Sequence, residues 1–464
     1  MSADPAALLA AAGLDGEAVA AWRAAEPRAT GDLAADRKRH SDYWQASTAL
    51  LARLPGKPAR NAGETGAAAA ILSAARAARE RFLALHAEAI YDELTGRCAR
   101  HIRLEELVML AAAAVPGLAP SAEALAAEAA LDQGAKDGVE IDQGIFLAHV
   151  LASPRAGLHL CHAMLLPLPE SAALVERFAA EGVLDLGPVS LRREGRAVHL
   201  TAANPRFLNA EDDTTLGAME QAVDVAILDP ASDVAVLRGG PVDHPKYGGR
   251  RVLGAGINLT HLYRGRIPFL WFLTRDLGYV HKLMRGVAEA DALPDDVSGL
   301  AVEKPWVIAL DTFAIGGHCQ LLLVADTVVA ADDAYMTLPA RKEGIIPGFA
   351  NLRLPRFVGE RVARQAIQFE RRLDCASPEG RMICDDVVPA DGMDAAIART
   401  VEGLTGAGVV GAVGNRRAFR VGHEPLDLFR RYASFYARAQ AYCHFSPALI
   451  ANLERNWDAA NRRP

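Results

Sequence analysis

Cysteine is scarce in this chain, and no cysteine belongs to a metal-binding pattern. The 464 residues include six cysteines, none in a CxxC pair or in a cysteine–histidine cluster with zinc spacing. They are Cys98, Cys161, Cys319, Cys375, Cys384 and Cys443. The HLCH stretch at 159–162 lies in an apolar helical segment, so we expect its histidines to be structural. We therefore expect no metal, and reduced thiols in the cytoplasm.

Positive charge is in deficit as well. Lysine and arginine number 50 against 57 aspartate and glutamate residues, which gives a formal net charge of -7. A basic footprint for nucleic acid is therefore missing. No window of about 18 uncharged apolar residues suits a membrane span, and the N-terminal segment lacks the positive start of a signal peptide. We expect no nucleic-acid partner, no membrane partner and a cytoplasmic location.

Apolar residues make up 51% of the chain, enough for a large core and more than one domain. Residues 1–185 are rich in alanine, and apolar residues recur at helical spacing, for example over 67–94. This pattern predicts an N-terminal helical domain. Short apolar strands alternating with helices predict an α/β core over 186–395. A further helical segment, suited to a lid or a subunit contact, is predicted for 396–464.

Short strands are predicted from valine- and isoleucine-rich runs. The stretch 189–203 indicates strand, turn and strand, with Glu-Gly at the bend. DVAILD at 224–229 and DVAVLRGG at 233–240 are interpreted as strands, although the overlapping segment LGAMEQAVDVAI favours a helix. Alternation of strands with helices indicates crossover connections and an α/β sheet.

Four motifs follow one another between residues 204 and 348. They are NPRFLNAE, AGINL, AIGGHCQLLLVAD and PARKEGIIPGFANLRL. In this order they resemble the motifs of the crotonase (enoyl-CoA hydratase/isomerase) family. The resemblance implies an α/β fold with a crotonase-like ββα superhelix core, an acyl-CoA substrate, and a homo-oligomer, either a trimer or a dimer of trimers. The N-terminal helical region lies outside the common family pattern.

The resemblance also implies an oxyanion hole made by the backbone. Its two donors would be the N–H groups of Ile257 and Gly317, with substrate-binding neighbours Ala255, Gly256 and Asn258 around the first. A thioester enolate needs fixed hydrogen-bond donors aimed at its oxygen. Gly317 is predicted to begin a helix, whose positive end would face that oxygen. The alternative is that these glycines only permit tight turns.

The departures from the family pattern exclude its usual chemistry. Hydratases of this family place two glutamates around a water molecule, at the positions where this chain has Gln320 and Ala340. An amide and a methyl group cannot carry out paired acid–base addition of water. Glu343, three residues further on, is a candidate displaced acid, although the KEG sequence also suits a solvated turn.

Glu211 is the candidate base that remains. The family usually has an apolar residue at this position. In an apolar pocket its pKa would be raised, and the carboxylate would take a carbon-bound proton. The equal alternative is an acid at a helix N-terminus. By resemblance, Arg275, on a predicted amphipathic helix, and Gln320 are polar groups near the reacting thioester and oxygen.

The motifs NAE, GAGINL, IGGHCQ and EGIIPGFANLRLPRFVG follow a long helical domain. In this combination they resemble the members of the family that oxidise an arylacetyl-CoA thioester with dioxygen and without a cofactor. Neither a GxGxxG fingerprint nor a P-loop is present, so we expect no nicotinamide, flavin or metal. The alternatives are another CoA thioesterase or isomerase of the family, and an inactive CoA-binding assembly subunit. Neither alternative would consume oxygen.

Two further sets of residues are candidates for binding. By resemblance, His244, Lys246 and Tyr247 lie where family members hold the adenine and pantetheine of CoA. The alternative for this loop is an ordinary proline turn. Ile345 and Leu322 are candidates for an apolar oxygen pocket, with plain core packing as the alternative.

Overall fold

The N-terminal part of the computed structural model is helical. The structure describes residues 5–406 and 408–462. Residues up to Leu160, together with Arg264–Leu270 and Ala433–Pro447, form one unit. The helices that begin before residue 160 are α1 Pro5–Ala11, α2 Gly16–Ala24, α3 Leu33–Leu51, α4 Ala62–Thr95, α5 Leu104–Ala114, α6 Ala122–Ala129, α7 Ile141–Ala152 and α8 Pro154–Leu165.

Helix α4 shows why the alanine-rich region is helical. Asn61 caps its first turn by accepting from the Glu64 N–H at 3.0 Å, and the Glu64 side chain accepts from the Asn61 N–H at 2.8 Å. This reciprocal pair satisfies two backbone donors that the helix leaves without partners. Gly96 ends the helix with a φ of +63°. The helix predicted from the 67–94 pattern is confirmed.

The second unit contains the strands. It consists of Cys161–Tyr263, Trp271–Tyr432 and the residues from Ala448 onward. Its strands are β1 Val183–Asp185, β2 Val189–Glu194, β3 Ala197–Ala202, β4 Val234–Gly239, β5 Val287–Ala288, β6 Ala301–Val302, β7 Trp306–Leu310, β8 Phe313–Ile315, β9 Thr327–Ala331, β10 Tyr335–Thr337, β11 Leu373–Asp374 and β12 Asp386–Val388.

A seven-stranded sheet organises this unit, in the order β1-β2-β3-β4-β7-β9-β12. Its first three strands pair antiparallel, and every pairing from β3 to β12 is parallel. A second sheet has the order β11-β10-β8. Parallel neighbours require crossover connections, and helices supply several of them. The α/β class predicted from the sequence is therefore confirmed.

The remaining helices follow α8 along the chain. They are α9 Ser171–Glu181, α10 Leu216–Leu228, α11 Leu259–Tyr263, α12 Phe269–Leu277, α13 Tyr279–Arg285, α14 Gly317–Leu322, α15 Ala340–Glu343, α16 Ala350–Phe369, α17 Met393–Gly406, α18 Val409–His423, α19 Leu426–His444 and α20 Pro447–Trp457. The main core of this unit combines residues of the large sheet with α10, α13 and α14. No helix among the described residues has both the length and the apolar character needed to cross a membrane.

Two local predictions have different outcomes. The hairpin predicted at 189–203 is confirmed as β2 and β3, with Gly195 at a φ of +57° in the bend. The strand predicted at 224–229 is wrong, because α10 continues through this segment to Leu228. A helix buried on most of its faces shows a short continuous apolar run that resembles a buried strand. The division at residues 185 and 395 remains a prediction.

Candidate active site

Two glycine-containing turns lie against each other in the second unit. Gly256 has a φ of +82° and Gly316 a φ of +56°, in a region that residues with a Cβ rarely adopt. A Cβ on Gly256 would lie 3.0 Å from the carbonyl oxygen of Ile315 and 3.5 Å from the nitrogen of Gly317. The glycines therefore allow the two backbone segments to approach closely.

Each turn presents a backbone N–H for which the described residues offer no acceptor. The Glu211 N–H donates to the Gly256 carbonyl at 2.8 Å, and the Asn258 N–H donates to the Glu211 carbonyl at 2.7 Å. These bonds flank Ile257, whose own N–H has no acceptor among the described residues. The same holds for Gly317, the first residue of α14. Two adjacent turns thus carry two donors, as an oxyanion hole requires.

The Glu211 carboxylate lies directly beside the second turn. Its side chain is 8% exposed, and the Arg275 Nε lies 3.0 Å from Oε1 and 2.9 Å from Oε2. The hydroxyl of Tyr279 donates to Oε1. A Cβ on Gly317 would lie 2.9 Å from Oε2. The carboxylate predicted as the base is therefore next to the predicted oxyanion donor.

The pKa of Glu211 is lowered, which corrects the expectation of a raised value. Burial raises the pKa of this carboxyl. The positive charge of Arg275, the neighbouring His318 and the hydrogen bonds from Arg275 and Tyr279 lower it by more. The sequence places the acid in an apolar surrounding but does not show that a guanidinium is paired with it. Glu211 is therefore a carboxylate at neutral pH.

Activity should therefore stay constant as the pH falls from 8 to about 5. The acidic limb of kcat/KM reports the free enzyme's base, and the pKa of Glu211 lies below its ordinary value of 4.5. Because the folded-state pKa is the lower one, the ion pair stabilises the protein above pH 4.5 and is lost as the pH falls through the folded value. We would measure kcat/KM and circular dichroism across this range. A limb at pH 6 or above in folded protein would contradict the assignment.

Arg275 connects the predicted polar residues. Its Nη1 donates to Gln320 Oε1 at 2.9 Å and to Asp276 Oδ1 at 2.8 Å, and its Nη2 donates to the Gly317 carbonyl at 2.9 Å. The Nε and the second N–H of Nη2 of Arg275 face the Glu211 carboxylate. Gln320 thus accepts through its oxygen, and no bond from its amide nitrogen is found in the described part of the chain. The structure brings Glu211, Arg275 and Gln320 together as one network.

Replacing Gly317 with alanine should reduce kcat/KM by about 100-fold. The new Cβ would lie 2.9 Å from Glu211 Oε2 and 3.1 Å from Arg275 Nη2, and a small displacement of reacting groups has an effect of that size. The backbone N–H remains, so the loss would report the displaced carboxylate. Gly414→Ala is the matched control, because nothing lies within 4 Å of a Cβ at that position. A Gly317→Ala rate within threefold of the wild type would contradict this geometry.

Two functional neighbours were missed by the sequence analysis. Tyr279 and Asp276 are 0% and 3% exposed, and both contact the Glu211–Arg275 pair. The four-residue step from Arg275 to Tyr279 was a signal that both share a helical face. Gly278, however, separates α12 from α13 with a φ of -89° and a ψ of -112°, so the spacing alone was insufficient.

His318 was also missed. Its Nδ1 accepts from the Gly256 N–H at 3.0 Å, which joins the two glycine turns. Burial lowers the pKa of His318 to about 4, so the imidazole is neutral and its Nδ1 is an acceptor at neutral pH. A Cβ on Gly254 would overlap this ring. The available signal was the position of His318 directly after Gly316 and Gly317 in the GGHC sequence.

The predicted CoA-binding loop lies at the surface. His244 and Tyr247 stack with ring centroids 5.4 Å apart, and the Lys246 Nζ lies 5.1 Å from the Tyr247 ring. Tyr247 in turn packs edge-on against Phe313, with centroids 5.2 Å apart. The loop therefore presents an aromatic and a cationic side chain together. Its contact with CoA remains a prediction.

The other predicted binding residues differ in surroundings. Asn258 donates to Asp212 at 2.9 Å, and its side-chain oxygen accepts from two N–H groups at the start of α11. Its amide is thus committed within the protein. Ala255 lies half-buried in the first turn, where its N–H donates to a backbone carbonyl at 3.1 Å. Leu322 belongs to the main core, whereas Ile345 is half-buried; a role of either in oxygen binding remains a prediction.

Glu343 is buried on α15. Burial, together with the neighbouring carboxylate of Glu370, raises the pKa of Glu343 to about 7. Among the hydrogen bonds and ion pairs of the described residues, none joins Glu343 to Glu211 or Arg275. The solvated turn weighed for this residue is therefore wrong, and its part in catalysis can be tested separately.

One group of side chains in the described residues has the spacing of a metal site, namely Asp212, Asp213 and His261. His261 Nδ1 lies 2.7 Å from Asp213 Oδ1, and Asp212 accepts hydrogen bonds from neighbouring backbone and amide groups. These contacts use the same atoms that a metal would need. In the HLCH stretch, His159 pairs with a tyrosine hydroxyl and His162 with a backbone carbonyl.

The chain matches a known class of protein. A model of the family described as enoyl-CoA hydratase/isomerase matches residues 297–409, and the chain belongs to this crotonase family. It is 47% identical over 405 residues to the (3,5-dihydroxyphenyl)acetyl-CoA 1,2-dioxygenase of Amycolatopsis orientalis, covering 87% of this chain and 92% of that protein.

Two more distant matches cover smaller shares of this chain. A carnitinyl-CoA dehydratase of Salmonella paratyphi B is 29% identical over 188 residues, covering 39% of this chain and 61% of that protein. The crystal structure of an enoyl-CoA hydratase from Mycobacterium avium subsp. paratuberculosis is 18% identical, with a TM-score of 0.48, and the match covers 58% of this chain and 98% of that one.

Proposed function

We propose that this chain is a dioxygenase that converts (3,5-dihydroxyphenyl)acetyl-CoA and O2 to 3,5-dihydroxyphenylglyoxylate and free CoA without a cofactor. The 47% identity to the dioxygenase of that name over most of both chains supports the substrate and the reaction. The observation in this molecule that carries the proposal is the Glu211–Arg275–Gln320 network beside two backbone N–H donors. It supplies a base and an oxyanion hole, without the acid pair that hydration needs.

The first step is removal of an α-proton. The Glu211 carboxylate takes the proton, and the electron pair of the broken C–H bond enters the enolate. The N–H groups of Ile257 and Gly317 hold the enolate oxygen, and fixed dipoles in a dry site are effective donors to it. Proton transfer leaves Glu211 neutral and passes its negative charge to the enolate, while the Arg275 guanidinium stays in the site and offsets that charge.

Oxygen then reacts with the anion. The electron-rich enolate gives one electron to O2, and the two radicals combine as an α-peroxide. The distal peroxide oxygen attacks the thioester carbon and expels the CoA thiolate. Cleavage of the O–O bond, with loss of the second α-hydrogen as a proton, leaves the α-keto acid. The sum is one thioester and one O2 giving one arylglyoxylate, one CoA thiol and one proton.

Gln320 fits this chemistry better than a glutamate would. Its oxygen is held by Arg275, which directs the amide nitrogen away from the guanidinium as a donor for a peroxide. A glutamate here would add a second carboxylate to a buried site and offer water a base. Hydrolysis of the thioester would then compete with oxygenation. The amide therefore favours oxygen chemistry over water chemistry.

Oxygen uptake by chelator-treated protein tests the proposal. With (3,5-dihydroxyphenyl)acetyl-CoA under labelled oxygen, we expect one O2 consumed for each CoA released and both labelled atoms in the arylglyoxylate. CoA release without oxygen uptake would establish a thioesterase instead. Loss of activity that added metal restores would contradict the cofactor-free reaction. The absence of any turnover would favour an inactive CoA-binding subunit.

Family resemblance supports a homo-oligomer, a trimer or a dimer of trimers. The free cysteines support a cytoplasmic location. Exposed apolar side chains on α18, with Val410 at 86% and Phe419 at 66% exposure, are consistent with a subunit contact. Light scattering of the purified protein should give three or six times the mass of the chain. A monomeric mass at micromolar concentration would contradict this assembly.

A further inference from the structure

Tyr279 makes a contact with Glu211 that the reaction scheme does not use. It is the first residue of α13, its side chain is 0% exposed, and its hydroxyl donates to Glu211 Oε1. The guanidinium carbon of Arg275 lies 5.4 Å from the centre of its ring. The phenol is therefore enclosed between the base and its ion-pair partner.

The two oxygens of the Glu211 carboxylate have different surroundings. Oε1 accepts from Tyr279 and from Arg275 Nε at 3.0 Å. Among the described residues, Oε2 accepts only from Arg275, whose Nε and Nη2 both lie 2.9 Å away, and it lies 2.9 Å from the position of a Cβ on Gly317. Oε2 is thus the oxygen that faces the turn carrying the oxyanion donor.

Arg275 contacts the carboxylate from one side, with its Nε within 3.0 Å of both oxygens and its Nη2 2.9 Å from Oε2. The terminal torsion of a glutamate is broad and nearly two-fold, so a second donor on Oε1 narrows the orientation further. The Tyr279 hydroxyl contacts only Oε1 and so distinguishes the two. Burial and the adjacent Glu211 carboxylate raise the pKa of Tyr279 well above its usual range. The phenol therefore remains a hydrogen-bond donor at any working pH.

We propose that Tyr279 is a positioning residue, whose hydroxyl fixes the Glu211 carboxylate with Oε2 toward the substrate, as the atom that takes the α-proton. This inference rests on the proposed function. Without the hydroxyl, only Arg275 holds the carboxylate, so its orientation is less restricted, and the loss of one donor raises its affinity for protons. The effect belongs to proton removal and precedes any reaction with oxygen.

Tyr279→Phe tests this role because it keeps the ring in the core and removes only the hydroxyl. The direct readout is exchange of the α-hydrogens of (3,5-dihydroxyphenyl)acetyl-CoA with D2O under anaerobic conditions, followed by mass. We expect exchange and kcat to fall about 10- to 100-fold, the effect of a small misplacement of a reacting group. KM should change less than about threefold. The acidic limb of kcat/KM should move to higher pH.

A matched control separates the proposed positioning role of Tyr279 from the general effect of removing a buried tyrosine hydroxyl and its hydrogen bond. Tyr91 is 0% exposed, and its hydroxyl pairs with His159 Nδ1 at 2.7 Å in the helical unit. Tyr91→Phe should leave both exchange and the pH limb unchanged. If Tyr279→Phe does not fold, 3,5-difluorotyrosine at 279 keeps shape and hydroxyl and strengthens the donor, which should move the acidic limb to lower pH.

The outcomes are distinguishable. If the wild type exchanges and Tyr279→Phe exchanges within twofold of it, with the limb unmoved, the positioning role is overturned while the proposed function stands. An unmoved limb in the fluorinated protein overturns it equally. If the wild type itself neither exchanges nor takes up oxygen, the proposed function fails first, and the inference fails with it.

Discussion

The Glu211→Gln variant should lose about two to four powers of ten in kcat, the range expected when a general base is removed. Glutamine keeps the shape of the side chain and can still accept from Tyr279 and Arg275. It cannot take the α-proton. Arg275 also retains Asp276 at 2.8 Å, so the substitution leaves the buried guanidinium with a carboxylate partner.

The loss should appear equally in anaerobic α-hydrogen exchange and in oxygen uptake. Exchange and oxygen uptake both require the enolate, and the base forms that enolate, so loss of the base should reduce both. An isomerase or thioesterase that used Glu211 would lose its activity without any link to oxygen. A variant that exchanges normally but fails to consume oxygen would place Glu211 in the oxygen step and contradict its role as the base.

Glu343→Gln is the matched control for this experiment. It removes a second buried carboxyl from the same unit, at the position considered for a displaced acid. The raised pKa of about 7 means that Glu343 is substantially protonated at neutral pH, so glutamine mimics its neutral form. We expect activity within threefold of the wild type. If Glu343→Gln is inactive and Glu211→Gln is active, the assignment of the base is wrong.

Lys282→Met should destabilise the protein by about 3–5 kcal/mol, the cost of breaking a buried ion pair on one side. The side chain of Lys282 is 0% exposed, and its Nζ lies 2.8 Å from Glu220 Oε1 and 2.7 Å from Asp224 Oδ1. Methionine fills the space of the aliphatic stem but removes the ammonium group that contacts two buried carboxylates. The midpoint of urea-induced unfolding measures the loss.

Two further variants set the scale. Arg364→Met removes an exposed partner of Glu360 on α16, where the side chains are 58% and 75% exposed, and should cost less than about 1 kcal/mol. Adding Glu220→Gln and Asp224→Asn to Lys282→Met should recover part of the stability, because the two buried groups that the ammonium contacted are then uncharged. A loss below 1 kcal/mol for Lys282→Met alone would contradict the structural role of this lysine.

The backbone features of the site could be predicted from the sequence, because they depend on local chemistry. Gly256 and Gly316 adopt positive φ values and permit the close turns that their motifs indicated. The helix predicted to begin at Gly317 does begin there. Local patterns determine such features within a few residues, so a single sequence contains the necessary information.

The electrostatics of the site could not be predicted in the same way. The direction of the Glu211 pKa depends on Arg275, 64 residues away along the chain, and on whether burial or charge has the larger effect. Tyr279 was missed because Gly278 changes the direction of the helix before it. The segment at 224–229 was misread as a strand because a buried helix and a buried strand share an apolar run. Each case requires the tertiary contacts.

The two proposed oxyanion donors are main-chain atoms, and this affects how the reaction of such a site can change in evolution. Every residue except proline keeps its backbone N–H, so most substitutions in these turns would leave the proposed thioester contacts in place. In the proposed reaction, the choice of reactant depends instead on side chains at positions 211, 275 and 320. A few replacements there would then suffice to exchange water for oxygen as the reactant, while the backbone that holds the acyl group stays the same.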